Sequence, residues 1–165
     1  MLMIRRRMLW LSAIASGLIA TGAAAQGTNP PSGQAAPAPA AGTSNPPRTP
    51  APHDAYVYIG WPLDGATVGP KFKVWFGTRN FGIAPAGVQK ANTGHHHLLI
   101  DVPLPPLDQP IPNDHNHLHF GLGQTEARLD LPPGKHTLQL LLGDENHIPH
   151  DPPVISKKIT VTVPQ

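Results

Sequence analysis

The side chains with the most chemistry to offer are histidines. His95-His96-His97 is entered through Gly94 and continues as Leu98-Leu99-Ile100-Asp101, and twenty residues on comes His115-Asn116-His117-Leu118-His119-Phe120. These two runs hold six of the chain's ten histidines. A third stretch, Asp144-Glu145-Asn146-His147-Ile148-Pro149-His150-Asp151, adds two more beside three carboxylates. Neutral imidazole is the commonest metal ligand in proteins and suits Zn(II), Cu(II) and Ni(II). Asp101, Asp144 or Glu145 could orient such rings or complete a coordination shell. His53 and His136 stand apart and are expected to be bystanders.

What the chain lacks narrows the chemistry. There is no cysteine, and all three methionines (Met1, Met3, Met8) lie in the first eight residues. If those residues are removed, a thiolate or thioether site for Cu(I) is excluded, which leaves Cu(II) or Zn(II) as the expected ion. Ser156, the only serine after residue 54, lies in an ordinary strand start, and no G-x-S-x-G or H-E-x-x-H pattern occurs. Nothing in the spacing demands catalysis. Metal-assisted hydrolysis is the enzymatic alternative, with Glu126 or Glu145 as general base.

Residues 1–25 read as a secretory signal peptide. Arg5-Arg6-Arg7 precede an apolar run from Met8 to Ala20, and Ala23 and Ala25 supply a small-x-small site before Gln26. The apolar run is short of the ~20 residues that span a bilayer. The expected location is therefore periplasmic or secreted, with no membrane span after cleavage. Three of the twelve basic residues are those arginines, which leaves nine against ten acidic ones. A near-neutral mature chain offers no electrostatic footprint for nucleic acid. Residues 26–54 are rich in Pro, Ala, Gly, Ser, Thr and Asn, too poor in apolar surface to offset ordering entropy, and read as a disordered linker.

The folded unit is then expected over residues 55–165. Tyr56–Trp61, Lys71–Phe76, the two histidine runs, Gln124–Leu131, Lys135–Leu142 and Val154–Val163 read as strands between Gly and Pro turn signals. About seven short strands without a helical period predict an all-β, immunoglobulin-like antiparallel sandwich, expected to be monomeric.

Period-2 alternation splits the triplet. His96, Leu98 and Ile100 share one strand face, and His95, His97, Leu99 and Asp101 share the other. If the second run pairs antiparallel with the first, Leu118 and Phe120 join the core face. His115, His117 and His119 then join His95 and His97 on the outer, solvated face. A sandwich also places the 144–151 loop near the start of the first run, so His95, His97, His119, His147 and His150 form the candidate metal-ligand set. His96 is expected to be a buried, hydrogen-bonded histidine. Tyr56, Tyr58, Trp61 and Trp75 could form an aromatic platform, although the simpler expectation is that alternate ones pack in the core.

The strings Gly94-His95-His96-His97-Leu98-Leu99-Ile100-Asp101, His119-Phe120-Gly121, Gly123-Gln124-Thr125-Glu126 and Gly134-Lys135-His136-Thr137-Leu138-Gln139-Leu140 resemble the bacterial domain of unknown function 4399 family over about residues 57–163. The resemblance implies export and one shared constellation of the His triplet, the 124–126 stretch and the His147/His150 loop. It implies no reaction. Together these readings predict an exported His-rich domain that binds a divalent transition metal as carrier, buffer or sensor, its affinity falling below the ordinary His pKa of about 6.5. A non-catalytic envelope module, binding an envelope protein or polysaccharide and using its histidines as a hydrogen-bond network, is the other reading.

Overall fold

The structure is a computed structural model that describes residues 47–165. The expected signal peptide and most of the expected linker lie outside the described residues. Eight strands are found among the described residues: β1 (Tyr56–Trp61), β2 (Lys71–Arg79), β3 (Gly82–Ile83), β4 (Thr93–Ile100), β5 (His117–Phe120), β6 (Glu126–Asp130), β7 (Gly134–Gly143) and β8 (Ile159–Val163). The additional one, β3, is a two-residue parallel pairing with the start of β4 inside what reads as a long loop. Among the described residues no helix is long and apolar enough to cross a membrane.

The strands form two sheets, β1-β2-β6 and β3-β4-β7-β8 with β5 also on β4. β7 takes one edge of β4, while β3 and β5 follow one another along the other. Alternation decides which side chains meet between the sheets. Val57, Val74, Phe76, Ala127 and Leu129 come from one sheet, and Leu98, Ile100, Leu138, Leu140, Leu142, Val161 and Val163 from the other; all lie in a single buried cluster. The fold is an all-β sandwich.

β4 ends where Asp101 takes a positive φ of 59° and prolines follow at 103, 105 and 106. The Asp101 carboxylate accepts from the Thr137 backbone N–H (2.7 Å) and from His136 Nδ1–H (2.7 Å). His136 Nε2–H donates in turn to the Pro132 carbonyl (2.9 Å). Both ring nitrogens thus face acceptors, and the Asp101 hydrogen bond raises the His136 pKa above its usual value. His136 is a staple between β4 and β7, and Asp101 is committed to it rather than to the neighbouring histidines.

Two expectations fail here. The outer face of β4 is not solvated, because residues 101–116 fold back over it. Leu99, Ile111 and Leu141 form a second buried cluster there, with Val102, Leu107 and Ile155 against it. The aromatic residues, by contrast, are not in the core. Tyr56, Tyr58, Trp61 and Trp75 are 42%, 43%, 44% and 54% exposed on the outer face of the β1-β2-β6 sheet. The inner positions of β1 and β2 are filled by Val57, Ile59, Phe72, Val74 and Phe76, and a bulge at Gly60 returns Trp61 to the same outer row as Tyr56 and Tyr58.

The folded unit also reaches back before Ala55. Pro50 bridges Asp151, the Ala51 N–H donates to the Asp151 carbonyl, and the Asp151 N–H donates to the Thr49 carbonyl (both 3.0 Å). The Pro-rich composition hides this because the contacts are made by backbone.

Leu140 is fully buried in β7, the strand between β4 and β8. Leu140→Ala is expected to lower stability by about 3 kcal/mol, read as an earlier denaturant midpoint at unchanged slope.

Candidate metal centre

His95 and His97 lie on the outer face of β4, and His119 stands directly across from His97 in the β4–β5 register. On the other edge His95 pairs with Gly143, the last residue of β7. His147 enters from the loop that follows. The four rings contact one another: centroids are 4.9 Å apart for His95–His97, 5.0 Å for His95–His119 and His97–His119, and 4.9, 5.9 and 4.8 Å from His147 to His95, His97 and His119. One ring nitrogen from each of His95, His97 and His119 lies within 4.8 Å of the other two.

Two glycines make room for this packing. A Cβ on Gly143 would sit 3.2 Å from His97 Nε2 and 3.1 Å from the His147 Cα. A Cβ on Gly121 would fall 2.5 Å from His119 Nε2, because that ring folds back over the turn after β5. Neither glycine is marked by any spacing rule; only the folded backbone shows what each clears.

His147 is held by the geometry of its loop. Its φ of 68° is one that His tolerates better than most side chains. The buried Asp144 sets the turn: its Oδ1 accepts from the N–H groups of Asn146 (2.8 Å) and Ile148 (2.9 Å), and its backbone carbonyl accepts from the His147 N–H (2.9 Å). Thr49 Oγ1 donates to Asp144 Oδ2 at 2.6 Å, while Arg48 donates to the carbonyls of Pro149 (3.0 Å) and His150. The His147 carbonyl accepts from the Ile111 N–H (2.9 Å), and Gly87 and Ala86 donate to Glu145 and Gly121 (3.0 and 2.9 Å). The segments that carry His119 and His147 are therefore tied together through residues 86–87.

Burial sets the protonation state. His95 and His97 have no exposed surface, whereas His119 and His147 are half-buried and form the solvent side of the cluster. Desolvation first, then the neighbouring His147 and His119, lowers the His95 pKa to about 4. Desolvation first, then His95, lowers His97 to about 2. Desolvation and His147 push His119 down as well. Near pH 7 these rings are neutral, the form that binds metal. His95 Nε2 and His97 Nε2 lie 3.0 Å apart. That separation serves a neutral N–H···N hydrogen bond and is close to the ~3.3 Å between two nitrogens on one tetrahedral Zn(II). His119 Nε2 is buried with no hydrogen-bond partner among the described residues.

The remaining predicted residues lie elsewhere. His150 is on the inner side, its ring edge-on to Phe81 at 5.0 Å and 2.8 Å from where a Gly94 Cβ would be. Its Nε2–H donates to the Thr93 carbonyl (3.2 Å), and desolvation lowers its pKa. His96 points into the core against Phe76, its Nδ1–H donating to the Gln124 carbonyl (3.0 Å), and desolvation lowers its pKa to about 4. That bond is what the 124–126 stretch contributes. Glu126, one of the two candidate bases, is on the other sheet and pairs with Lys73 at 3.1 Å. His115 is exposed ahead of β5, and His117 Nδ1 meets the Asp114 carboxylate at 3.0 Å.

The chain is thus an all-β protein with a buried imidazole cluster at one end of a sheet. Residues 74–164 match the family described as Domain of unknown function (DUF4399), and the chain belongs to that family. The match includes all four clustered histidines and leaves out β1 and the Arg48–Thr49 clasp. No curated protein and no solved structure matches the chain.

Because His95, His96 and His97 take up protons less readily when folded than the ordinary pKa of 6.5, the unfolded chain binds more protons below that pH. Stability is then fully present above pH 6.5 and is lost as pH falls through about 4. A melting temperature measured at pH 7.5 and pH 4.5 in the presence of chelator should drop by at least ~5 °C. An unchanged value would mean that the rings are hydrated in the native state.

Proposed function

We propose that this protein is an exported metal-binding domain in which His95, His97, His119 and His147 hold one divalent transition ion, Cu(II) or Zn(II), for carriage, buffering or sensing. The observation that carries the reading is the approach of ring nitrogens from three histidines to within 4.8 Å on a rigid strand pair, with a fourth ring packed on all three. Ligands on paired strands are fixed before the ion arrives, which spares ordering entropy on binding. A network of neutral imidazoles accounts for the His95–His97 contact but leaves one buried ring nitrogen on each of His95, His97 and His119 without a partner among the described residues, as also on His96 and His150. A bound ion would give the clustered rings a partner that such a network lacks.

Four imidazoles leave a tetrahedral ion no open position for a substrate water, which favours carriage over hydrolysis. His150, committed to Thr93 and Phe81, is outside the ligand set in this reading. Export rests on the Arg5-Arg6-Arg7 leader and its Ala23/Ala25 site, and places a monomeric domain in the periplasm or outside the cell on a Pro-rich tether.

Calorimetric titration with Zn(II) and with Cu(II) tests the assignment. His97→Ala and His147→Asn are each expected to weaken binding about a hundredfold, roughly 2.8 kcal/mol, whereas His150→Ala changes it little. Asn is chosen at 147 because it tolerates the positive φ. Gly121→Ala, which displaces the His119 ring without removing a ligand, should also weaken binding. Added metal should raise the melting temperature of the parent chain and not of the His97→Ala/His147→Asn double variant. Equal binding by parent and double variant ends the proposal.

A further inference from the structure

The other sheet carries a second feature, built from none of the histidines. Outside the leader the chain has two tryptophans and two tyrosines. All four stand in the outer face of β1-β2-β6, while the phenylalanines Phe76 and Phe81 are buried. The register sets them in one band: Tyr56 opposite Arg79, Tyr58 opposite Gly77, and Trp61 opposite Trp75. From Tyr56 to Trp61 the band runs ~16 Å along β1.

Part of the band lies low on the sheet. Tyr58 lies across Gly77, where an added Cβ would be 2.3 Å from its Cζ, and Tyr56 packs beside it with ring centroids 5.8 Å apart. Tyr and Trp combine an apolar face with a polar edge, so they serve surfaces that are stacked upon and hydrogen-bonded at once. A sugar ring offers the matching chemistry: axial C–H groups on its face and hydroxyls around its rim.

Charge selects among sugars. On this face Lys71, Lys73, Arg79 and Arg128 stand with Glu126 and Asp130. Two of these cations are matched, in Lys73–Glu126 (3.1 Å) and Lys71–Asp130 (3.6 Å). Arg79 and Arg128 have no ion-pair partner among the described residues and stand toward the two ends of the band, Arg79 opposite Tyr56 and Arg128 opposite Lys73. A cavity of about 400 Å³ adjoins Tyr56 and Tyr58 at the open edge of β1, and Lys157 lines it. Cations around an aromatic strip complement an anionic chain, and guanidinium groups match carboxylates in a two-point fork.

We propose that the outer face of the β1-β2-β6 sheet binds an acidic polysaccharide, its sugar rings stacked on Trp61, Trp75, Tyr56 and Tyr58 and its uronate carboxylates met by Arg79 and Arg128. Tyr58, laid across Gly77, offers a ring face on which a sugar can stack. The unpaired arginines work against burial of this face in a second copy, where like charges would approach.

Affinity electrophoresis of the full chain through gels containing polygalacturonate, neutral dextran or no polymer reads this directly. Polygalacturonate is expected to retard the chain, and dextran far less. Trp75→Ala should weaken retardation about tenfold. The exposed Arg79→Gln/Arg128→Gln pair, which alters no packed side chain, should abolish the preference for the acidic polymer. His97→Ala should leave it intact, which separates this face from the metal reading. No retardation in either polymer, equal retardation by dextran, unchanged retardation of both variants, association with phosphatidylglycerol vesicles in place of polygalacturonate, or dimerisation lost in Trp75→Ala would each overturn the proposal.

Discussion

Covering β4 on both faces is the constraint from which the character of the site follows. One face meets the β1-β2-β6 sheet; the other lies beneath residues 101–116 and the 144–150 loop. Three consecutive histidines lose their water whichever way they point. An imidazole can stay in such a place only as the neutral ring, since burying the cation costs far more. His95, His96 and His97 are therefore poor bases, and their lone pairs are available at neutral pH.

The same constraint explains the supporting parts. Space for four rings on a strand pair has to come from somewhere, and Gly121 and Gly143 supply it by lacking a side chain. A half-buried His147 needs a loop that does not wander, and Asp144 provides that by taking four hydrogen bonds from Asn146, Ile148, His147 and Thr49. Asp101, which sequence position makes a tempting ligand, is instead drawn to His136, where a carboxylate and a doubly donating ring satisfy each other. The two sheets thus divide the work: one holds imidazoles in a dry place, and the other turns amphipathic rings and surplus arginines outward.

Much of this was readable beforehand. Alternation separated His96 from His95 and His97, and placed Leu98, Ile100, Leu118 and Phe120 on the core face. The strand pairing and the approach of His147 followed from short connections and a two-sheet architecture. His150 was misjudged for a simple reason: three residues beyond a ring in the cluster, it lies past the turn, on the chain's return path to the inner side, where Gly94 leaves a space for it. Alternate aromatic residues of Tyr56, Tyr58, Trp61 and Trp75 were expected in the core, yet register and a bulge at Gly60 put all four outside.

By itself, then, the sequence determined seven of the eight strands, all but the two-residue β3, and which side chains share a face, because a period of two is a property of the extended backbone. It also determined that any metal site built from residues beyond Met8 uses nitrogen and oxygen, because no sulfur is encoded there. Only the tertiary structure decided whether a face is wet or dry, which of two nearby histidines reaches the cluster, and which glycines matter. Those depend on what a distant segment lays over the strand: Ile111 across the outer face, Thr49 on Asp144, and residues 86–87 between two loops. Such contacts join residues far apart in the chain, through side chains for Ile111 and Thr49 and through backbone for residues 86–87, and no sequence pattern marks them.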